Sequence, residues 1–252
     1  MRALTASEEL RIWESGTRET LAARSLMLLA AALPNSPPGD LARLTIGRRD
    51  GLLLTLRELM FGSRIEGLAA CPQCEERLDL MFDVAEIRAA NDPEESKGAS
   101  HHFLKLNGFE VVFRAPDSTD LEAIAECPDA DSGREKLLER CAIQVGRENS
   151  EADELLSVGE LPATVVTALV ERMDHVDPQA NMKLSLVCPA CQHTWEAVFD
   201  IASFFWGEIT DWAKRMLRQV HVLASSYGWS EKDILEMSAE RRSYYVHMIE
   251  GM

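Results

Sequence analysis

Long apolar runs are missing from this sequence. The longest, Leu26–Leu33, has eight residues. A membrane span needs about 20, so no membrane partner is expected. Basic residues are scarce. Lys and Arg number 26 against 42 Asp and Glu, a net charge of −16 with a pI near 4.8. A grip on phosphate backbones needs clustered Lys and Arg, so nucleic acid is not an expected partner. Catalytic signatures are absent as well: there is no Gly-x-Ser-x-Gly, no Walker loop and no His-Glu-x-x-His. The six histidines are scattered, and His221 reads as a buried residue inside a helix. No enzyme is expected. Glu8, Glu9 and Glu14 fall where a basic-then-apolar leader would lie, which points to a cytoplasmic protein.

What is present suits a folded chain. Its 252 residues are 46% apolar and 27% charged, enough for one large or two small domains with a real core. Thr5 and Glu8 have capping-box spacing at the start of a first helix, which Gly16 interrupts. A second helix covers Thr17–Leu33, and Pro34–Gly39 is a firm stop. Another helix is expected from about Arg48 to Phe61, with Gly62 as its left-handed cap. Strand patterns follow at Ile65–Ala70, Arg77–Val84 and His102–Arg114. The last should fold as a hairpin about Asn107-Gly108. Asp92–Ser100 reads as a polar loop.

Helices should resume at Thr119–Glu126 and Ser132–Val145, the second with a Ser132/Glu135 capping box. Gly146–Glu160 reads as a linker. Pro162 suits the first turn of a helix to Met173, and Lys183–Val187 reads as a strand. Residues 117–160 hold thirteen acids against four bases, the pattern of a solvated surface. Near the C-terminus, Asp200 can cap a helix with an apolar stripe of Ile201, Phe205, Ile209, Trp212, Met216, Val220 and Leu223, ended by Gly228. Shorter helices follow from Ser230 and Ser238.

Six cysteines are present. Cys127 and Cys141 are isolated and read as small buried residues. The other four form two Cys-Pro-x-Cys pairs, Cys71/Cys74 and Cys188/Cys191, which head a short duplication. CPQCEERLDLMFDVA (71–85) aligns without gaps on CPACQHTWEAVFDIA (188–202). Zinc takes four soft ligands in a tetrahedron, and two facing knuckles supply four thiolates. A shared site would close a loop of 113 residues between Cys74 and Cys188, stapling the two halves together. It would leave no open coordination position, so the zinc would be structural. Competing readings are two separate sites, with His193 serving the second, a redox pair, and structural disulfides, which are not expected in a cytoplasmic chain. The redox motif sits at a helix start, whereas both pairs here lie between strands.

Aromatic residues crowd toward one end. All three tyrosines and four of five tryptophans lie within 195–245. They make either a thick helical core or a protein-binding surface, since Trp, Tyr and Arg dominate binding hot spots. Candidate partner-binding residues are Trp206, Trp212, Tyr227, Trp229, Arg241, Arg242, Tyr244 and Tyr245.

The run FDIASFFWGEI…LRQVHVLASSYGWSEKDILEMSAERRSYYVHMI resembles the baseplate hub assembly chaperones of T-even-type contractile phages. It is most similar to the versions found with bacterial extracellular contractile injection systems. WESG (13–16), LLAAALP (28–34), IGRRDGLLLTLRELMFG (46–62), FRAPDSTDLEA (113–123), LLERC (137–141) and both knuckles fit too. The sharpest stretch is Val220–Arg242, including His221, Leu223, Tyr227, Trp229, Ile234, Leu235 and Arg242. Departures are the acidic 117–160 region and Ala115 where Leu is usual. The resemblance implies help in assembling a baseplate or its hub, with baseplate or hub proteins as partners and no catalytic residues.

The expected fold is therefore α+β and mainly helical, with a small zinc-ribbon-like β module built from the two distant knuckles. Its parts are an N-terminal helical segment (1–62), the zinc-bearing module with the Asn107-Gly108 hairpin (63–115 with 181–199), an acidic helical insertion (116–180) and an aromatic-rich C-terminal segment (200–252). A non-enzymatic assembly factor is the leading expectation. A permanent baseplate component and a zinc-ribbon nucleic-acid regulator are the alternatives.

Overall fold

The computed structural model describes residues 1–88, 101–148 and 156–250. Four helices come first: α1 (Ala6–Gly16), α2 (Leu21–Ala32), α3 (Pro38–Ala42) and α4 (Ile46–Phe61). Threonine side chains start three of them. Thr5, Thr20 and Thr45 accept bonds from the backbone N–H groups of Glu8, Ala23 and Arg48, donors a helix cannot satisfy internally. The expected capping box at Thr5 and Glu8 is formed. Helix α3 begins inside the expected stop and runs past it, because Pro38 is tolerated in a first helical turn.

Strands β1 (Arg64–Ala70) and β2 (Arg77–Asp83) form one antiparallel hairpin. The short helix α5 (Val84–Ile87) follows directly. Strands β3 (His102–Leu106), β4 (Phe109–Phe113) and β5 (Ala142–Arg147) form a three-stranded antiparallel sheet in that order. Asn107 and Gly108 both take positive φ at the β3–β4 turn, as a tight hairpin demands. Between β4 and β5 lie α6 (Ser118–Ile124) and α7 (Ala130–Cys141). Helix α8 (Ala163–Val176) precedes the last hairpin, β6 (Lys183–Val187) and β7 (Thr194–Val198). The chain ends in α9 (Ile201–Tyr227), α10 (Glu231–Glu236) and α11 (Ala239–Glu250).

Four local expectations are corrected. The helix expected over Ser132–Val145 stops at Cys141, and β5 takes over. Pairing decides this: Val145 lies opposite Val111, and both are buried, so the sheet overrides a helical pattern. Asp129, not Ser132, caps α7. The Asn107-Gly108 hairpin, expected beside the knuckles, pairs with β5 in a sheet of its own. Pro162 stands just before α8, which runs on to Val176. The Asp92–Ser100 loop and much of the Gly146–Glu160 linker lie outside the described residues.

The main core gathers Leu28, Leu29, Leu53, Leu54 and Leu56 from α2 and α4 around Ile201, Phe205 and Ile209 of α9. Each such fully buried side chain stabilises the fold by ~1.5–3 kcal/mol. A second core lies between the three-stranded sheet and α8, with Val111, Phe113, Val145, Val165 and Leu169. Helix α9 spans ~40 Å at 1.5 Å per residue. Asp200 caps its start, and Gly228, at φ 68°, caps its end. No helix among the described residues is long and apolar enough to cross a membrane.

Several buried charges also hold elements together. Asp120 is fully buried and accepts bonds from Arg114 at 2.6 and 2.9 Å, from Arg140 at 2.7 Å and from the Asp117 backbone N–H at 2.9 Å. Burial alone would raise its carboxyl, but these donors hold it down at about 2. Arg57 of α4 pairs with Glu208 of α9 at 2.6 Å. Asp177 accepts a 2.8 Å bond from the Gly47 N–H and so caps α4 from across the fold. Any side chain at Gly47 would collide with that carboxylate. Glu9 differs: it is buried, its Oε2 has no hydrogen-bond partner, and burial pushes its carboxyl up to about 8 despite the charge of Arg242.

Candidate metal centre

Each Cys-Pro-x-Cys pair sits in the turn of a two-stranded hairpin, the first joining β1 to β2 and the second β6 to β7. The two turns are built alike. The Cys71 N–H donates to the Glu76 carbonyl, and the Glu75 N–H donates to the Cys71 carbonyl, both at 2.9 Å. In the second turn Cys188 N–H donates to His193 at 2.9 Å, and Gln192 N–H donates to Cys188 at 3.0 Å. Glu75 and Gln192 adopt φ of 62° and 61°. These positions match under the same 117-residue offset that aligns the two sequence copies.

The correspondence continues past the turns. Leu78 and Trp195 occupy matching positions and pack with Leu80 against buried Cys71 and Cys188. Phe82 and Phe199 match and meet edge to face at 5.5 Å. Asp83 and Asp200 match, and each caps the helix that follows its hairpin. The repeated unit is thus a hairpin, a cysteine turn and a capped helix start. Because Cys71 lies 3.7 Å from Cys191 and Cys74 lies 3.5 Å from Cys188, exchanging the two copies maps one contact onto the other. The module has an approximate two-fold axis.

All four sulfurs lie within 4.8 Å of one another. Four sulfurs bound tetrahedrally at about 2.3 Å to one zinc ion would sit ~3.8 Å apart. The cluster is therefore able to hold a metal ion with little movement. A disulfide needs about 2.05 Å, so the observed contacts are thiol contacts. Cys71 and Cys188 are buried beneath the hairpins, whereas Cys74 and Cys191 are open to solvent. His193 stands outside the cluster and stacks on Trp195 at 5.9 Å.

The cluster's protonation follows from crowding. The Cys191 backbone N–H, assisted by that of Ala190, draws the Cys188 thiol down to about 7. The Glu76 N–H pulls Cys74 the same way, but crowding against the other three thiols outweighs that and leaves it at about 12. Cys191 is also raised. One thiolate forms readily and the next forms against it. Only a bound cation makes four thiolates compatible at this spacing, and a four-thiolate shell leaves no position for a substrate.

The aromatic candidates divide by place. Trp206 is buried, stacked under Arg24 at 4.7 Å and pressed against Gly16. Arg242 is buried and donates to the Met237 carbonyl and to Gln219. Trp212 is half-buried beside α1 and α10. Tyr227, Trp229 and Tyr245 pack on one another at 4.5–5.7 Å, with Arg241 over Tyr245. Tyr244 is 72% exposed and, with Arg241 and Met248, lines a shallow groove of about 390 Å³ on α11. His221, expected inside, is exposed on α9. It stands beside Val220, which takes the inward position. The residues that reading by motif missed are Glu75, Gln192, Leu78 and Trp195, although the 117-residue offset marks all four.

The T4 bacteriophage base plate protein family is described by a model that matches residues 2–206 of the 252. No match was found among curated proteins or among solved structures. The matched stretch contains both cysteine turns and ends within α9.

Proposed function

We infer the role of this chain from the family it belongs to, that of the T4 bacteriophage base plate protein. The chain acts as a non-enzymatic assembly factor for the baseplate or hub of a contractile phage tail-like injection system. The family match over residues 2–206 carries this reading. Zinc, held by Cys71, Cys74, Cys188 and Cys191, is a structural staple. It supplies a cation that lets four thiolates coexist, and it ties the hairpin at 64–83 to the hairpin at 183–198. The sulfur spacing supports that use. The exposed C-terminal residues Arg241, Tyr244 and Met248, near the Tyr227–Trp229–Tyr245 cluster, form the contact with a baseplate or hub subunit in the cytoplasm. Their exposure and residue types support it.

A permanent place in the baseplate is the second reading, and the family's description favours it. One experiment separates the two. Tagged chain is captured from its native cell, and purified particles are analysed beside it. Baseplate subunits in the capture with the chain absent from particles establish an assembly factor. Presence in both makes it a component. Capture of nucleic acid or unrelated enzymes alone defeats both readings.

A further inference from the structure

The metal centre is unevenly covered. Each cross-turn contact joins one buried sulfur to one open to solvent: Cys74 to Cys188 at 3.5 Å and Cys191 to Cys71 at 3.7 Å. We propose that the cluster is also an oxidation site, at which a peroxide converts it into two cross-turn disulfides, Cys74–Cys188 and Cys71–Cys191, with release of the metal. The proposal rests on the reading that the four cysteines form a single centre.

The chemistry follows the exposure. Peroxide reaches the open sulfurs first, because oxidation follows access, and a bound metal ion would hold both as thiolates. The Cys74 thiolate attacks one peroxide oxygen, the O–O bond breaks, and a sulfenic acid and hydroxide form. The Cys188 thiolate then attacks the Cys74 sulfur, the S–S bond forms, and the hydroxyl leaves as a second hydroxide. Two protons from solvent turn both hydroxides into water. Two electrons pass from the sulfur pair to one peroxide. Cys191 and Cys71 repeat the sequence with a second peroxide. With all four sulfurs paired, no thiolate would remain to hold a metal ion.

The geometry favours resolution across the turns. Each buried sulfur already touches the open sulfur of the opposite turn, so closing to a bond of about 2.05 Å needs a shift of ~1.5 Å per pair. The approximate two-fold axis makes both bonds form alike. Either bond closes the same long loop that the metal closes, residues 114 and 120 apart in sequence. The oxidised chain therefore keeps its two halves joined after the metal has gone. Pairing inside each turn would release them.

The full-length protein is titrated with hydrogen peroxide, and metal release is followed with a chromogenic chelator. Disulfides are mapped by peptide mass spectrometry without reduction. Two peroxides per chain, one metal ion released, Cys74–Cys188 and Cys71–Cys191 linkages, and recovery of metal binding after a dithiol are expected. Cys71–Cys74 and Cys188–Cys191 linkages overturn the proposal, as do sulfinic or sulfonic acids without linkages. A Cys127→Ser variant separates oxidation at that half-buried thiol from the cluster's own. Metal content of the untreated chain is read first. A metal-free chain that still forms the cross-turn bonds refutes the zinc staple and the metal release, and leaves the cross-turn pairing standing. A chain with one metal that pairs within its turns does the reverse.

Discussion

Asp120 and the four-cysteine cluster both gather acidic groups at a junction between distant segments, yet only Asp120 has its countercharge supplied by the chain. Two arginines and a backbone N–H surround its carboxylate. The cysteines have backbone donors and one another, which favours one thiolate and opposes the next. An anion neutralised by neighbouring side chains is completed by folding alone. A cluster of four thiols brought this close by folding is able to take up a cation as its countercharge. Glu9 marks the other limit, a buried carboxyl whose Oε2 has no hydrogen-bond partner and which therefore stays protonated up to about pH 8.

This contrast can be broken most forcefully at the metal. Cys188→Ser should abolish stoichiometric zinc and destabilise the chain by several kcal/mol, a fraction of the ~10–16 kcal/mol zinc contributes in isolated zinc-finger peptides. Elemental analysis and denaturant midpoints read both effects. Retention of one zinc per chain would sink the shared site. Asp120→Ala should cost about 3 kcal/mol, since it strips two arginines of a buried partner. The pH dependence sharpens the same point. Asp120 titrates near 2 when folded, below its ordinary value near 3.8. Its contribution is full above about pH 4 and fades as pH falls toward 2. A Cys188→Ser chain should keep that acid-side loss, whereas Asp120→Ala should lack it.

Glu9→Gln probes the unsatisfied limit and has the opposite sign. A carboxyl raised from 4.5 to about 8 on folding contributes stability below pH 4.5 that is lost as pH rises through 8. The Gln variant has no such loss. Its denaturant midpoint should exceed that of the parent above pH 8, by ~1–3 kcal/mol in stability, and the parent's decline between pH 4.5 and 8 should flatten. Tyr244→Ala is the smallest expected change, within about 0.5 kcal/mol for an exposed side chain. Its measurable effect should be reduced capture of baseplate subunits from cells. Undiminished capture would remove α11 as the contact.

Legibility in the sequence followed the range of the interaction. Local devices were plain: the Thr5 box, the Asn107-Gly108 turn, the Asp200 cap and the Gly228 stop depend on a few neighbouring residues. The knuckle pairs were legible despite 113 intervening residues because the two copies repeat in register and four soft ligands at that spacing suit one tetrahedral ion. Strand β5 was not legible, since only pairing with β4 selects it over a helix. The buried charges were hidden for the same reason. Nothing near Asp120 in sequence distinguishes it from the exposed acids of the same stretch, and Arg140 reaches it from another helix. Arg242 and Trp206 have the composition of hot-spot residues, but packing against α9 and α1 turned both inward.

The distance between the two cysteine turns also orders events in time. At ~5–20 residues per second of synthesis, the first turn is made about 6–23 s before the second. Through that interval Cys71 and Cys74 are half of a chelate, a dithiol that any soft cation in the cell can occupy provisionally. All three strands of the central sheet, β3 to β5, are translated while it waits. The ribosome therefore delivers the sheet-bearing middle before the second cysteine turn, so the four-thiol cluster can close only once residue 191 is made, with α9 to α11 still to come.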